Sequence, residues 1–406
     1  MKIVGILTEF NPFHSGHAYF LAELRRMLGP DCGVVCVMSG NFVQRGAPAL
    51  LDKHTRAAAA LAGGADLILE LPVARALSSA EGFARGAVYL MQQSGCVNHL
   101  AFGSECGDVD ALSSAASCLD TEDFRAALRD FLSRGMPFAA CRRAAAETLL
   151  GPERAALLDG ANNNLGVEYL RAARHLGWDC TAVTVRRAGA GHDSAAPGAY
   201  RSGSALRALL CREDWEGAAP FLPETALGLY RAAWAEGTAP VTAERAERMM
   251  LARLRTMAEE EFASLPDCAE GLHHRLYDAV RSRTRLDEVL DGAKTRRYAY
   301  ARLRRMTMCA WLDIDRAAAA ELPAYLRVLG FTPRGREILA RMRKTARLPV
   351  VVKPAGVRRL SEEAQRQFAR EARTTDLYWL ACPALDRAVP GREWRTGPVI
   401  AEQNGE

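Results

Sequence analysis

No stretch of this 406-residue chain approaches the roughly 20 consecutive apolar residues that a membrane-spanning helix requires. That excludes an integral helical membrane protein. The apolar start, Met1 to Leu7, ends at Thr8 and Glu9. It is too short for the apolar region of a secretory signal and has no small-residue cleavage site, so a cytoplasmic protein is expected. Eleven cysteines are present, yet none forms a C-x-x-C pair. Cys32 and Cys36 lie closest, with no second pair of matching spacing. Structural zinc needs paired ligands, so no metal site is expected, and the thiols read as small hydrophobes in a reducing compartment. Internal repeats and long low-complexity tracts are also missing. What remains is an ordinary globular balance, 49% hydrophobic and 25% charged, at a length that suits two or three domains.

A formal charge of +5 hides an asymmetry. Residues 1–215 hold 21 of the 53 Lys and Arg and 22 of the 48 Asp and Glu, a balance of −1. The remaining 32 basic and 26 acidic residues give +6. A basic excess confined to one half points to a polyanion-binding region.

Patterning divides the chain at the same place. Short apolar runs at Ile3–Leu7, Val34–Met38, Asp66–Leu71, His99–Phe102 and Ala182–Val185 are bounded by Gly, Pro or Asn and read as strands. Helical periodicity fills the gaps at His17–Leu28, His54–Ala62, Ala80–Met91, Thr121–Arg134 and Leu165–Leu176. Strands alternating with helices predict an α/β fold with a parallel sheet covered on both faces, whose ligands bind at the C-terminal ends of the strands. From Ser204 to Ala310 the sequence is helical and rich in Ala, Leu, Arg and Glu, and one further strand candidate, Leu348–Val352, follows. The expected organisation is a nucleotide-binding unit at 1–215 and a mostly helical, basic unit at 216–406.

The first strand runs into Glu9-Phe10-Asn11-Pro12-Phe13-His14-Ser15-Gly16-His17, then a helix. Pro12 restricts the turn, and Gly16 removes a side chain where a phosphate could approach the backbone. A helix start attracts anions, and two imidazoles there can donate hydrogen bonds to phosphate oxygens as pyrophosphate leaves a nucleotide's α-phosphate. Taken alone, the four-residue H-x-G-H pattern also fits two surface histidines in a turn. H-x-G-H after the first strand resembles the signature of the nucleotidyltransferase superfamily. The longer wording, with Met38-Ser39-Gly40-Asn41-Phe42-Val43-Gln44-Arg45-Gly46, Phe102-Gly103-Ser104-Glu105, Asn162-Asn163-Asn164-Leu165-Gly166-Val167-Glu168-Tyr169, Thr295-Arg296-Arg297-Tyr298 and Tyr325 to Phe331, resembles the bacterial tRNA(Met) cytidine acetate ligase family. The similarity follows the chain in order over most of its length.

The other motifs have structural alternatives. Asp52 before the next helix fits an N-cap, and Gly103 fits a plain turn glycine. Asn162 fits the cap of the helix it opens. Ser202-Gly203-Ser204-Ala205-Leu206-Arg207 is similar to the superfamily's second phosphate motif, and equally suits a helix capped at Ser204. Arg186-Arg187 follows a strand end, where paired guanidinium groups could clamp a triphosphate.

The resemblance implies a Rossmann-like fold and an ATP site. That site comprises Leu7, Thr8, Glu9, Phe10, Asn11, Pro12, Phe13, His14, Ser15, Gly16, His17, Ala18, Tyr19, Phe20, Gly103, Asn162, Arg187, Ser204 and Arg207, with His14 and His17 catalytic. This chain departs from the family pattern at Ala161, where proline is usual, and at Asn164, where an apolar residue is usual. The resemblance further implies acetate and elongator tRNA(Met) as substrates, with ATP-dependent acetylation of N4 of the wobble cytidine to N4-acetylcytidine. Magnesium is expected as the ATP counter-ion. Nine Lys and Arg lie between Arg281 and Arg305, interleaved with Tyr298 and Tyr300. Arg296, Arg297, Tyr298, Arg302 and Arg305 are the expected tRNA contacts through phosphate pairing and base stacking. Two other readings remain: an adenylyltransferase making a dinucleotide coenzyme, and a non-catalytic RNA-binding protein.

Overall fold

The computed structural model describes residues 1–135, 137–187, 200–268, 271–296 and 298–401. Ten strands occur among them: β1 Ile3–Thr8, β2 Gly33–Ser39, β3 Phe42–Val43, β4 Ala47–Pro48, β5 Leu67–Leu71, β6 His99–Ser104, β7 Thr181–Arg186, β8 Leu326–Phe331, β9 Val350–Val351 and β10 Val399–Ile400. The main sheet has the order β10-β8-β5-β2-β1-β6-β7, with β9 on β8 and β3-β4 a separate hairpin. β5, β2, β1, β6 and β7 are mutually parallel. All of β2 and β5 is buried, as helices on both faces demand. Close helix-to-strand packing has a local cause at Gly166, where a Cβ would stand 2.5 Å from the Phe102 ring.

The five predicted strands of the first half are present, and so is the α/β class. The short β3, β4 and β10 were missed, and so was the interior strand β8. It pairs antiparallel with β5, Leu67 opposite Phe331, and carries β9 and β10 into the same sheet. Residues beyond 216 therefore complete the sheet, and the division at 215 does not separate two sheets. The helices from Ala243–Thr256 to Tyr300–Trp311 share an apolar core around Met250, Leu276, Met306 and Trp311, whereas Glu224–Ala235 packs with β1 through Ala226, Tyr230 and Ala233. No helix among the described residues is long and apolar enough to cross a membrane.

A buried ionic network ties the returning segment to the sheet. Lys53, at the start of the helix Lys53–Ala62, places Nζ 2.6 Å from Glu70 of β5 and 2.6 Å from Glu393 of the short helix Arg392–Arg395. Arg327 of β8 donates to the carbonyls of Val352 (2.9 Å) and Thr396 (3.0 Å). Burial opposes the charge on Glu393, but Lys53 and Arg327 prevail and pull its carboxyl down to about 2. Glu371, on the helix Glu362–Trp379, accepts from the Val73 amide at 2.9 Å. Burial, reinforced by the Glu70 charge, pushes its carboxyl up to about 8. Burial pushes the Glu70 carboxyl up as well, against the Lys53 charge. Two cations thus face Glu393 and Glu70, and at neutral pH Glu371 keeps its proton.

A carboxyl raised from 4.5 to about 8 binds its proton more tightly when folded, so its stabilisation is complete below pH 4.5 and lost as pH rises towards 8. Glu371→Gln mimics the protonated form and removes this dependence. Melting curves from pH 5 to 8 should show the variant gaining on the wild type by at most about 1.4 kcal/mol per pH unit. Parallel curves would contradict a protonated Glu371.

Candidate active site

The turn after β1 is held from every side. Phe10 takes a left-handed φ of 45°, and the Asn11–Pro12 peptide is cis. The Phe10 and Phe13 rings are buried edge to face, centroids 5.0 Å apart. Asn11 Oδ1 accepts from the Leu50 amide at 2.9 Å, and Tyr230 donates its hydroxyl to the Phe13 carbonyl at 2.9 Å. Arg56 is fully buried and donates to the carbonyls of Glu9, Gly40 and Ser39, joining the C-terminal ends of β1 and β2. Arg207 donates to the Asn11 carbonyl at 2.6 Å. Glu9 accepts from the Gln44 amide at 2.6 Å, and burial pushes its carboxyl up.

His14 is the N-cap of the helix Ser15–Leu28. Its Nδ1 accepts from the Gly16 amide at 3.1 Å, while His17 Nδ1 accepts from the His14 amide at 3.3 Å. The two rings stack with centroids 3.8 Å apart. A Cβ on Gly16 would stand 2.9 Å from His14 Cε1, which is why glycine sits between the histidines. With each Nδ1 lone pair occupied by an amide, a neutral ring must carry its hydrogen on Nε2. Burial, helped by the Arg187 charge, pulls His14 down to about 4. Burial, then the neighbouring His14 and Arg187, pulls His17 well below its ordinary 6.5. At neutral pH the site therefore presents two uncharged N–H donors.

A second group of residues lies at the ends of β6 and β7. The carboxylate of Glu105 accepts from the Asn162 amide (3.0 Å), the Asn162 side chain (2.6 Å) and the Asn163 amide (2.6 Å). Burial opposes its charge, but these hydrogen bonds win and hold the carboxyl below 4.5. The helix Ala161–His175 has Gly160 as its N-cap, so Asn162 is not the cap that its position suggested. A carboxylate from another segment does that work and frees the asparagine. Asn163 Oδ1 accepts from the Glu105 (3.0 Å) and Cys106 (3.2 Å) amides, and Asn164 bonds the Gly160 carbonyl (3.1 Å) and Arg142 (3.2 Å). Asn162 alone of the three reaches Arg187, at 3.2 Å. Arg187 is exposed and runs over Gly103, where a Cβ would stand 3.3 Å from its Cγ.

Ser202, not Ser204, caps the helix Gly203–Cys211. Ser204 instead accepts from Arg207 at 2.9 Å, and Gly203 lies against the Asn11 carbonyl. The structure thus brings His14, His17, Gly103, Asn162, Arg187, Ser204 and Arg207 to one edge of the sheet. Leu7 packs on the core beneath one face, and Ala18, Tyr19 and Phe20 on the core beneath the other. Among the described residues no group of three or more His, Cys, Asp or Glu is placed to hold a metal ion.

The expected RNA contacts fare differently. Tyr298 is buried, with the Arg302 guanidinium 5.1 Å from its ring centre, so it offers no face for a base. Arg302 donates to the Asp267 carbonyl at 2.8 Å, and Arg305 is buried against the Asp267 carboxylate at 3.1 Å. Arg302 and Arg305 thus hold the chain at Asp267. Arg296 is exposed; Arg297 lies outside the described residues.

Residues 1–389 match the family model described as HIGH Nucleotidyl Transferase. A tRNA(Met) cytidine acetate ligase of Caldanaerobacter subterraneus is 36% identical over 387 residues, 94% of this chain and 96% of that protein. The chain belongs to the tRNA(Met) cytidine acetate ligase family. Crystal structures of another member, Thermotoga maritima TmcAL, superpose closely. The form bound with alpha-thio ATP gives a TM-score of 0.92 at 31% identity, covering 99% of this chain and all of that one. The apo form gives 0.93 at 32% identity over the same span. Sequence reasoning passed over Glu70, Tyr230, Glu371 and Glu393, and gave no role to Glu105 and Arg327, which lie in motifs that carry the resemblance. Glu70 and Arg327 carried a local signal, each a charge inside an apolar run.

Nitrogen-15 NMR of the histidine rings should show His14 as the Nε2–H tautomer, titrating near pH 4. An Nδ1–H tautomer, or a midpoint near 6.5, would contradict the hydrogen bonding described.

Proposed function

We propose that this protein uses ATP to activate acetate as acetyl-adenylate and acetylates N4 of the wobble cytidine of elongator tRNA(Met) in the cytoplasm. The observation that carries the reading is the stacked pair of neutral imidazoles at the end of β1, in a chain that matches tRNA(Met) cytidine acetate ligases over nearly its whole length.

In the first step an acetate oxygen attacks the α-phosphorus of ATP. An O–P bond forms, and the bond to pyrophosphate breaks. The two Nε2–H groups donate to phosphate oxygens as charge builds. Being neutral and fixed by amides, they need no reorientation at that moment. Arg187 and Arg207 add positive charge, and Asn162 and Ser204 hold these two guanidinium groups in place. In the second step the cytidine N4 attacks the acetyl carbonyl carbon, a C–N bond forms, and AMP leaves with the former acetate oxygen. Activation is needed because acetate has no good leaving group for acyl transfer. Magnesium accompanies the ATP phosphates, and no step is routed through a protein-held ion. The near-neutral residues 1–215 supply this chemistry, and the basic excess of residues 216–406 serves tRNA.

Purified protein incubated with ATP, labelled acetate and bulk tRNA should place label in tRNA only when ATP is present. No label, with pyrophosphate released on adding a phosphorylated coenzyme precursor instead, would favour the dinucleotide-forming alternative. His17→Ala should lower acetate-dependent ATP–pyrophosphate exchange on the order of 10²–10³-fold while tRNA binding stays near wild type. Equal exchange by variant and wild type would refute the role given to His17.

A further inference from the structure

The β3–β4 hairpin is a bridge between the catalytic turn and the helical core. At its base Phe42 meets the Trp311 ring edge to face at 5.8 Å and the Tyr378 ring at 6.0 Å. At its tip the Gln44 amide donates to Glu9, two residues from Asn11. Gly46, on the other side of the tip, takes a left-handed φ of 76°. A Cβ there would stand 2.5 Å from the Arg304 backbone, so the hairpin lies directly on the helix Tyr300–Trp311. Glycine is demanded twice, by conformation and by contact.

This arrangement seats Arg304 against Gly46, the residue that follows Arg45 at the hairpin tip. Both side chains are exposed, and neither makes an ion pair among the described residues. Arg45 is close enough to Glu9 and Arg207 for its charge to act on both. A cationic track therefore runs from Arg304 across the hairpin tip to Arg45, and on to Arg207 beside the catalytic turn. Nearby arginines are committed elsewhere: Arg302 and Arg305 to Asp267, and Arg56 to backbone carbonyls. Two uncommitted guanidinium groups, one on the hairpin tip and one on the helix beneath it, suit a chain of phosphates, and the track leads towards the His14–His17 edge.

We propose that Arg304 and Arg45 hold the phosphate backbone of the single-stranded loop of the RNA substrate and guide its reactive base to the His14–His17 edge. This rests on the reading above that the acceptor is a tRNA. The contacts would be to phosphate, so they would position the strand without reading its sequence.

The test uses the full-length protein and an unmodified tRNA(Met) transcript. Arg45→Ala with Arg304→Ala should raise Kd for the transcript on the order of tenfold at 50 mM salt and flatten the plot of log K against log[salt] by about 1.4 for two lost contacts. In acetylation assays the loss should fall on KM for tRNA, with kcat recovered at saturating tRNA. Melting curves matching the wild type exclude misfolding; if the pair unfolds, Arg304→Gln alone carries the test through the salt slope. An unchanged Kd and salt slope would overturn the proposal. So would a loss confined to KM for ATP, which would make Arg45 a pyrophosphate contact. A wild-type protein that fails to acetylate tRNA would instead remove the reading on which the proposal rests.

Discussion

Lys53 sits with its ammonium between two carboxylates in the interior, and much of the architecture follows from that. A lone buried ammonium cannot be tolerated, and removing one member of such a cluster costs about 3–5 kcal/mol. Glu70 comes from the centre of the sheet, Glu393 from the last short helix, and Arg327 beside it from the antiparallel strand. Three distant segments are thereby bound to one another's charge. The helix that Lys53 opens also carries Arg56, which grips the carbonyls at the ends of β1 and β2. The ionic network and the turn that carries His14 and His17 are thus one structure, joined by two residues, one turn apart, of a single helix.

The site itself works by fixed polarity. Backbone amides decide which nitrogen of each histidine bears hydrogen, and burial keeps both rings uncharged. Asparagine and serine side chains hold the Arg187 and Arg207 guanidinium groups in place beside them. A carboxylate at the start of the helix Ala161–His175 stabilises its dipole and leaves Asn162 free to reach across to β7. Each functional group is oriented by a partner that the chemistry does not consume.

The first half of the fold was legible because its strands are apolar runs between turn residues, and the strand-to-helix turn because His14 and His17 follow the first of them. β8 escaped because Arg327 stands inside Leu326–Phe331 and reads as a charge breaking a buried strand. Its hydrogen bonds to Val352 and Thr396 belong to segments far along the chain. The alternative reading of Asn162 as a helix cap fails for a related reason: Glu105, 57 positions away, supplies what the local sequence did not show. The dense arginine run was visible, but a count of charges does not say which are buried, and Asp267 claims two of them.

The antiparallel strand has a consequence for synthesis. Until residue 331 has left the ribosome, β5 is the open edge of a five-stranded parallel sheet, with its backbone donors and acceptors unpaired. The counter-charge for Lys53 from Glu393 arrives later still. The nucleotide-binding half therefore cannot mature in order as it emerges. It waits, edge exposed, for the far end of its own chain, and an unpaired edge of that kind invites association with other chains.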